Sequence, residues 1–328
     1  MEINQYYNKT SLLGRYKFHF RKNKDFVLYK FLRKLYYVLG FNKFLPRAIT
    51  LLEIIFSVGR DIIFHLNFKN TGHLIFLFGR KTYYNFLKYK YFDYKENCFN
   101  FGGIKIPEIS YKKEFLANYF TFIYPEITKH IPLYFCENPY EYEEVVLEKN
   151  NIVIDVGANT GFFSALASHR GCKVYAFEPI PKVCNYLKMT SILNKGITVI
   201  EAALADKDEN MIMFEHEKSL GESSIIGNVD KKHTQKINVN GMKLDTFVSL
   251  NNINKVDFIK ADIEGAERLM LIGAREVLKK HKPKLSICKY HLPDDPAVLK
   301  RIILEACSYY IVKESGYKIY AYVPENKK

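Results

Sequence analysis

What this chain lacks narrows what it can be. Its six cysteines, at positions 98, 136, 172, 184, 288 and 307, include no C-x-x-C pair. Neither a disulfide framework nor a cysteine zinc site is therefore expected, and the thiols read as buried groups in a reducing compartment. No window reaches the ~18 uninterrupted apolar residues of a membrane span, because Glu53, Arg60 and Asp61 break the best candidate. The opening Met1-Glu-Ile-Asn-Gln shows no basic segment leading into an apolar core and a cleavage site, so a cytoplasmic location is expected. The central glycine of the dinucleotide signature G-x-G-x-x-G is also missing: the chain reads Asp155-x-Gly157-x-Asn159-x-Gly161.

What is present is unevenly spread. The 328 residues carry a net charge of +14. Residues 1–100 hold 18 Lys and Arg against 6 Asp and Glu, a net +12, while residues 101–328 hold 31 against 29, a net +2. The first hundred residues also contain 25 of the 50 Phe and Tyr. This pattern predicts a basic, aromatic-rich helical region, with helices over 24–39, 46–66 and 73–90, followed by a second domain over 101–328. Interleaved cations and aromatics suit a solvated basic face, an anionic membrane or glycolipid surface, or a nucleic-acid groove, the last being the least favoured.

The second domain is organised around Asn151-Ile-Val-Ile-Asp-Val-Gly-Ala-Asn-Thr-Gly-Phe-Phe-Ser164. Ile152, Val153, Ile154 and Val156 form a short apolar run suited to a parallel strand covered on both faces. Gly157 and Gly161 bracket a turn that lets a ligand approach the backbone, and Phe162, Phe163 and Leu166 open a helix. Asp155 at the strand end would repel a pyrophosphate and suits a sulfonium cofactor, which favours S-adenosylmethionine over NAD. Twenty-three residues on, Gly171 to Ile180 supplies a second strand ending in Glu178, placed to accept both ribose hydroxyls.

Later segments continue the alternation. Ile197 to Ala203 predicts a third strand, with Ala203 over an adenine ring. Met211–Glu217 and Lys236–Leu244 read as an antiparallel pair joined by a polar excursion containing Gly221-Glu-Ser-Ser224, where a ligand role is the less favoured reading. Lys255 to Glu267 is a strand ending in Asp262, Glu264 and Glu267 as a helix opens. Helix capping accounts for one or two of these acids, and Asp262, beyond the strand's carboxyl end, would face the transferred methyl. Pro283 to Asp295 delivers Lys289, Tyr290 and His291 to the same edge, and His291 is the preferred general base. Ser308–Val312 and Lys318–Val323 close the sheet. Upstream, Tyr111 to His130 predicts a helix with Pro125 interrupting it. In the loop Asn138-Pro-Tyr-Glu-Tyr142, Tyr140 or Glu141 could reach the cofactor. Its likeness to an N-P-P-Y loop is rejected because the second proline is absent.

Val153-Ile-Asp-Val-Gly-Ala-Asn-Thr-Gly161, Ala176-Phe-Glu-Pro179, Ile259-Lys-Ala-Asp-Ile-Glu-Gly-Ala-Glu267 and Tyr290-His291, in that order, resemble the FkbM family of methyltransferases over residues 100–328. The resemblance implies a doubly wound, seven-stranded, mostly parallel α/β sheet of the Rossmann-like class I type. It also implies S-adenosylmethionine as cofactor and O-methylation of a polyketide, sugar or polysaccharide hydroxyl. Cofactor contacts would fall at Asp155, Gly157, Asn159, Gly161 and Glu178, with Asp262 and Glu264 beside the acceptor. Lys289 departs from the family's usual small apolar residue. A glycan or glycolipid acceptor is the leading expectation. An RNA methyltransferase and a non-catalytic adaptor are the alternatives. A divalent cation held by Asp262, Glu264 and His291 is weighed as second to His291 acting as base.

Overall fold

The computed structural model describes residues 80–128, 139–216 and 234–327. The helices expected over 24–39 and 46–66 and the Gly221–Ser224 loop lie outside these residues. Internal contacts divide the chain into one unit of residues 1–86 with 132–136 and another of 87–131 with 137–328. The described architecture belongs almost entirely to the second unit.

Helix α1 (Arg80–Tyr91) enters a small antiparallel sheet of β1 (Phe92–Asp93), β2 (Cys98–Phe101) and β3 (Ile104–Pro107). The boundary expected near residue 100 falls inside the β2–β3 hairpin, whose strands pair Asn100 with Lys105. Helix α2 (Lys112–Asn118) passes through a π-helical turn, Tyr119–Ile123, into α3 (Tyr124–Thr128). The helix expected from 111 to 130, with an interruption at Pro125, is broken in register just before that residue. Proline has no N–H to donate and its ring crowds the preceding turn, and a π-turn is one way to absorb that.

The main sheet comprises β4 (Ile152–Val156), β5 (Lys173–Phe177), β6 (Ile197–Ile200), β10 (Phe258–Ala261), β11 (Lys284–Cys288), β12 (Ile311–Ser315) and β13 (Lys318–Tyr322), in the spatial order β12-β13-β11-β10-β4-β5-β6. β4, β5, β6, β10 and β11 run parallel, and β13 opposes both β11 and β12. Parallel neighbours need crossovers. Helix α4 (Phe162–His169) connects β4 to β5, and α5 (Pro181–Leu193) connects β5 to β6. One face of the sheet buries Ile154, Val156, Ile259, Leu285, Ile287 and Ile319 against Met270, Leu278, Leu299 and Ile303. The other buries Val153, Val174, Ala176, Phe258 and Tyr320 against Phe163, Ala167 and Leu187. Burial on both faces explains why these strands read as apolar runs with little alternation.

The third strand is shorter than expected. The chain bends after Ile200, where Ala202 N–H donates to Ile200 C=O at 3.0 Å. Ala203–Leu204 then forms β7 in a separate three-stranded sheet with β8 (Asn210–His216) and β9 (Thr234–Met242). β8 and β9 pair antiparallel as anticipated, but Leu244 opens helix α6 (Leu244–Leu250) instead of ending the strand. β12 likewise begins three residues later than Ser308.

Candidate active site

The sheet order reverses at β4, which has β5 on one side and β10 on the other. A cleft opens at the carboxyl ends of these strands, where such folds bind ligands. Its wall includes Gly157, Asn159, Thr160, Glu178, Ala203 and Asp262. Gly157 sits at φ +70, and a Cβ there would lie 2.1 Å from the Asp262 carbonyl oxygen. The two strand ends therefore approach so closely that only glycine fits. Gly161 is also left-handed, but its hydrogens face α5, where a Cβ would meet Thr190 and Leu187 at 2.8 and 2.9 Å. Its missing side chain lets α5 pack close, and it is not among the cleft-lining residues.

Glu178 is almost fully buried yet lines the cleft. Its two oxygens accept N–H groups from Asn159 and Ile180, each at 3.0 Å. Burial pushes its carboxyl up to about 7 despite those donors. Asn159 holds a left-handed turn at φ 52, with its side-chain oxygen accepting the Thr160 N–H at 2.7 Å. The Thr160 hydroxyl is buried at the cleft wall with no hydrogen-bond partner. Ala203 is buried in the wall.

Asp155 does not face the cleft. It is wholly buried beneath the turn, where it accepts the Ser164 hydroxyl at 2.6 Å and lies 3.1 Å from Lys260 Nζ. The parallel register sets Lys260 beside Asp155 as its cross-strand neighbour, and a buried charge needs such a partner. Burial alone would lower the Lys260 ammonium, but Asp155 and Asp262 hold it above its ordinary value. The same ammonium donates to the Gly157 carbonyl at 2.7 Å. Asp155 thus braces the glycine turn through Lys260 instead of gripping a cofactor. Lys260 went unnoticed in the sequence, although a lysine within the buried Phe258-Ile-Lys-Ala261 strand already demanded an acid on a neighbouring strand.

Tyr140 reaches the cleft but bonds to the protein. Its hydroxyl donates to Asp262 Oδ2 at 2.6 Å, and its ring stacks on Phe122 at 5.4 Å. The ammonium groups of Lys318 and Lys260 lie 4.1 and 5.5 Å from that ring's centroid. Glu141 is directed elsewhere: it pairs with Arg170 and accepts the Leu147 N–H at 2.8 Å. The expectation that it contacts cofactor is corrected accordingly. Lys289 is paired with Glu314 and does not line the cleft.

Asp262 and Glu264 also line the cleft. Burial would raise the Asp262 carboxyl, but Lys260, His291 and the Tyr140 hydroxyl bring it down to about 2. His291 Nε2 lies 3.4 Å from Glu264 Oε2 and 3.7 Å from Asp262 Oδ1, and Nδ1 lies 3.0 Å from Glu267 Oε1. Burial disfavours its charged form, yet Glu267, Glu264 and Asp262 together lift it to about 9. An imidazole already protonated at neutral pH cannot take a proton, so these contacts do not support the general-base role expected of His291. Two anchors fix this corner. Glu267, the first residue of α7 (Glu267–Ile272), accepts the Ile263 and Gly265 N–H groups at 2.8 and 3.1 Å. Arg268 binds Asp295 at 2.7 Å and Asp294 at 2.5 Å, tying down the loop that carries His291.

The family model for the methyltransferase FkbM domain matches residues 155–319, half of the chain. The chain belongs to this family. FkbM domains are S-adenosylmethionine-dependent methyltransferase domains, and the cleft fits that cofactor: a buried carboxylate with backbone partners only, an unsatisfied threonine hydroxyl and a turn closed to any Cβ converge on it. Methyltransferase 1 of Beauveria bassiana (strain ARSEF 2860) is 22% identical over 153 residues, covering 40% of this chain and 61% of that protein. The crystal structure of methyltransferase FkbM from Methylobacillus flagellatus KT is 20% identical with a TM-score of 0.40, covering 73% of this chain and 58% of that one. Aeropyrum pernix fibrillarin in complex with S-adenosyl-L-methionine is 12% identical with a TM-score of 0.34, covering 54% and 68%. The chain thus spans about three fifths of the first two relatives, and the assignment rests on the domain match.

Proposed function

We propose that this FkbM protein is an O-methyltransferase that moves the methyl group of S-adenosylmethionine to a hydroxyl of a sugar, glycan or glycolipid-type acceptor. The observation that supports this reading is that one cleft is lined by Glu178, Asp262 and Glu264 together; we assign Glu178 to the cofactor and the other two acids to the acceptor. The cofactor, when bound, supplies an electrophilic methyl on sulfonium. Glu178 would take the ribose hydroxyls, and the backbone of 157–160 the remainder of the nucleoside. Asp262, held by Tyr140, would orient the acceptor hydroxyl in line with that methyl, and positioning of this kind supplies much of the catalysis in such displacements.

The acid-rich acceptor side favours a neutral polyol over RNA. Glu114, Asp262 and Glu264 line the cleft, and Lys260, the cation at its wall, is engaged by Asp155. A phosphodiester would meet carboxylates there, whereas hydroxyls can donate to them. The basic first hundred residues then belong to the delivery of the acceptor, through attraction to an anionic membrane face. Among the described residues no helix is long and apolar enough to cross a membrane.

The test is transfer of labelled methyl from S-adenosylmethionine to fractionated glycans, glycolipids and RNA. Label in a base-stable ether on the glycan or glycolipid fraction is the expected result. Label confined to RNA, with binding that weakens steeply as salt rises, would overturn the acceptor class.

A further inference from the structure

We propose that Asp262, Glu264 and His291 form a binding site for one divalent cation of the magnesium or manganese class on the acceptor side of the cleft. The inference rests on the methyl-transfer reading of that cleft and adds what activates the acceptor.

Geometry carries it first. One donor atom from each of the three residues lies within 4.8 Å of the others, with His291 Nε2 at 3.4 Å from Glu264 and 3.7 Å from Asp262. Around an ion with bonds of ~2.1 Å, adjacent ligands stand about 3 Å apart and opposite ones about 4.2 Å. The two His291 distances already fall between these values, and the two carboxylates, within 4.8 Å of each other, close onto one ion by side-chain rotation, by up to roughly 2 Å if they take adjacent positions.

The second observation is His291 itself. Its side chain is only 6% exposed, and neither ring nitrogen has an aligned hydrogen-bond partner. Buried polar atoms left in that condition are uncommon. Nδ1 is turned toward the buried Glu267 carboxylate at 3.0 Å, which leaves Nε2 turned to Asp262 and Glu264. A carboxylate behind the ring is how proteins orient a ligating imidazole.

The donors are also held in advance. Tyr140 occupies Asp262 Oδ2, while Oδ1 faces His291 and accepts a long hydrogen bond from the Tyr290 hydroxyl at 3.4 Å. Glu267 fixes the backbone on either side of Glu264. The cation would displace the proton that the three acids otherwise hold on His291; two carboxylates and the resulting neutral imidazole then balance a divalent charge, and this oxygen-rich set suits magnesium or manganese better than thiolate-seeking metals. A cation there would lower the pKa of a coordinated acceptor hydroxyl. The hydroxyl proton then leaves to water, the oxygen–carbon bond forms as the carbon–sulfur bond breaks, and S-adenosylhomocysteine departs neutral.

The experiment titrates Mn²⁺ into the chelator-treated full chain, following free Mn²⁺ by electron paramagnetic resonance and heat by calorimetry. S-adenosylmethionine binding is measured separately in chelator. One saturable Mn²⁺ per chain is expected, weakened at least ~10-fold by Glu264→Gln and by His291→Gln. The Glu264 side chain is 37% exposed, so its replacement leaves the fold intact, a point that circular dichroism checks. No saturable binding, or binding that both variants leave unchanged, overturns the site. Cofactor binding in chelator without any Mn²⁺ binding would sink the cation site and spare the methyltransferase reading, and the converse would do the opposite.

Discussion

Glu178 is buried and carries a carboxyl raised to about 7, with its ordinary value near 4.5. Because its folded-state value lies above the unfolded one, ionising it costs stability. The native state is favoured below about 4.5 and loses that advantage as pH rises toward 7. Such a carboxylate belongs in a binding site more than in a stabilising role. Glu178→Gln should therefore match or exceed the wild-type stability to urea at pH 8 while weakening S-adenosylmethionine binding by ~10-fold or more, the loss of a charge-assisted acceptor. Wild-type affinity should fall as pH drops below about 7, by up to about tenfold per unit. Calorimetry across pH 5.5 to 8.5, a range chosen as roughly bracketing that value, checks it, and a flat profile would remove Glu178 from the cofactor. Asp262 behaves differently, since its position is set by Tyr140 at 2.6 Å. Asp262→Asn should lower turnover ~100-fold or more with cofactor affinity within about threefold. Single-turnover kinetics separates the two effects.

Between β4 and β10, a buried ion pair and a glycine do the work of alignment. Lys260 and Asp155 are register partners, both almost fully enclosed. Lys260→Met leaves Asp155 charged and unpaired, and should cost ~3–5 kcal/mol in urea unfolding. Pairing it with Asp155→Leu should recover much of that loss, because two apolar groups need no counter-charge. Gly157→Ala is expected to fail for a separate reason: it places a methyl 2.1 Å from the Asp262 carbonyl at a left-handed φ. A destabilisation of about 2 kcal/mol or more, with loss of cofactor binding, is the expected readout. This scale also marks the limit of what the sequence showed. The motif Asp155-x-Gly157 announced a turn, and Glu178 and Asp262 announced strand ends, because each follows an apolar run that only a buried strand satisfies. Which acid faces the ligand depends on which way alternate side chains point across the sheet. Asp155 lies on the same face as Lys260 and pairs inward, while Glu178 follows the last residue of β5 and opens onto the cleft.

Across the whole molecule, the succession of strands along the chain between 151 and 323 is legible in apolar runs and helix openings, the seven-stranded sheet only through the family resemblance, and their spatial order not at all. What escaped the sequence was long-range: that Glu267 backs His291 from behind, that Glu141 turns to Arg170, and that Ala203 leaves the main sheet. None of these has a local signal, since each depends on segments far apart in the chain meeting at one edge. The acidic cleft and the strongly basic first hundred residues divide the labour in our account, one for chemistry and one for bringing the acceptor to it. Removing charge from Lys30, Arg33 and Lys34 by substitution to Gln should leave cofactor affinity unchanged and reduce sedimentation with anionic vesicles. Undiminished vesicle binding would assign that region elsewhere.

The central claim is tested most directly by a crystal structure with S-adenosylhomocysteine. The account predicts the ribose hydroxyls within hydrogen-bond distance of Glu178, and the sulfur facing Asp262 across the cleft. A nucleoside bound away from Glu178, or a sulfur directed away from Asp262, would contradict it.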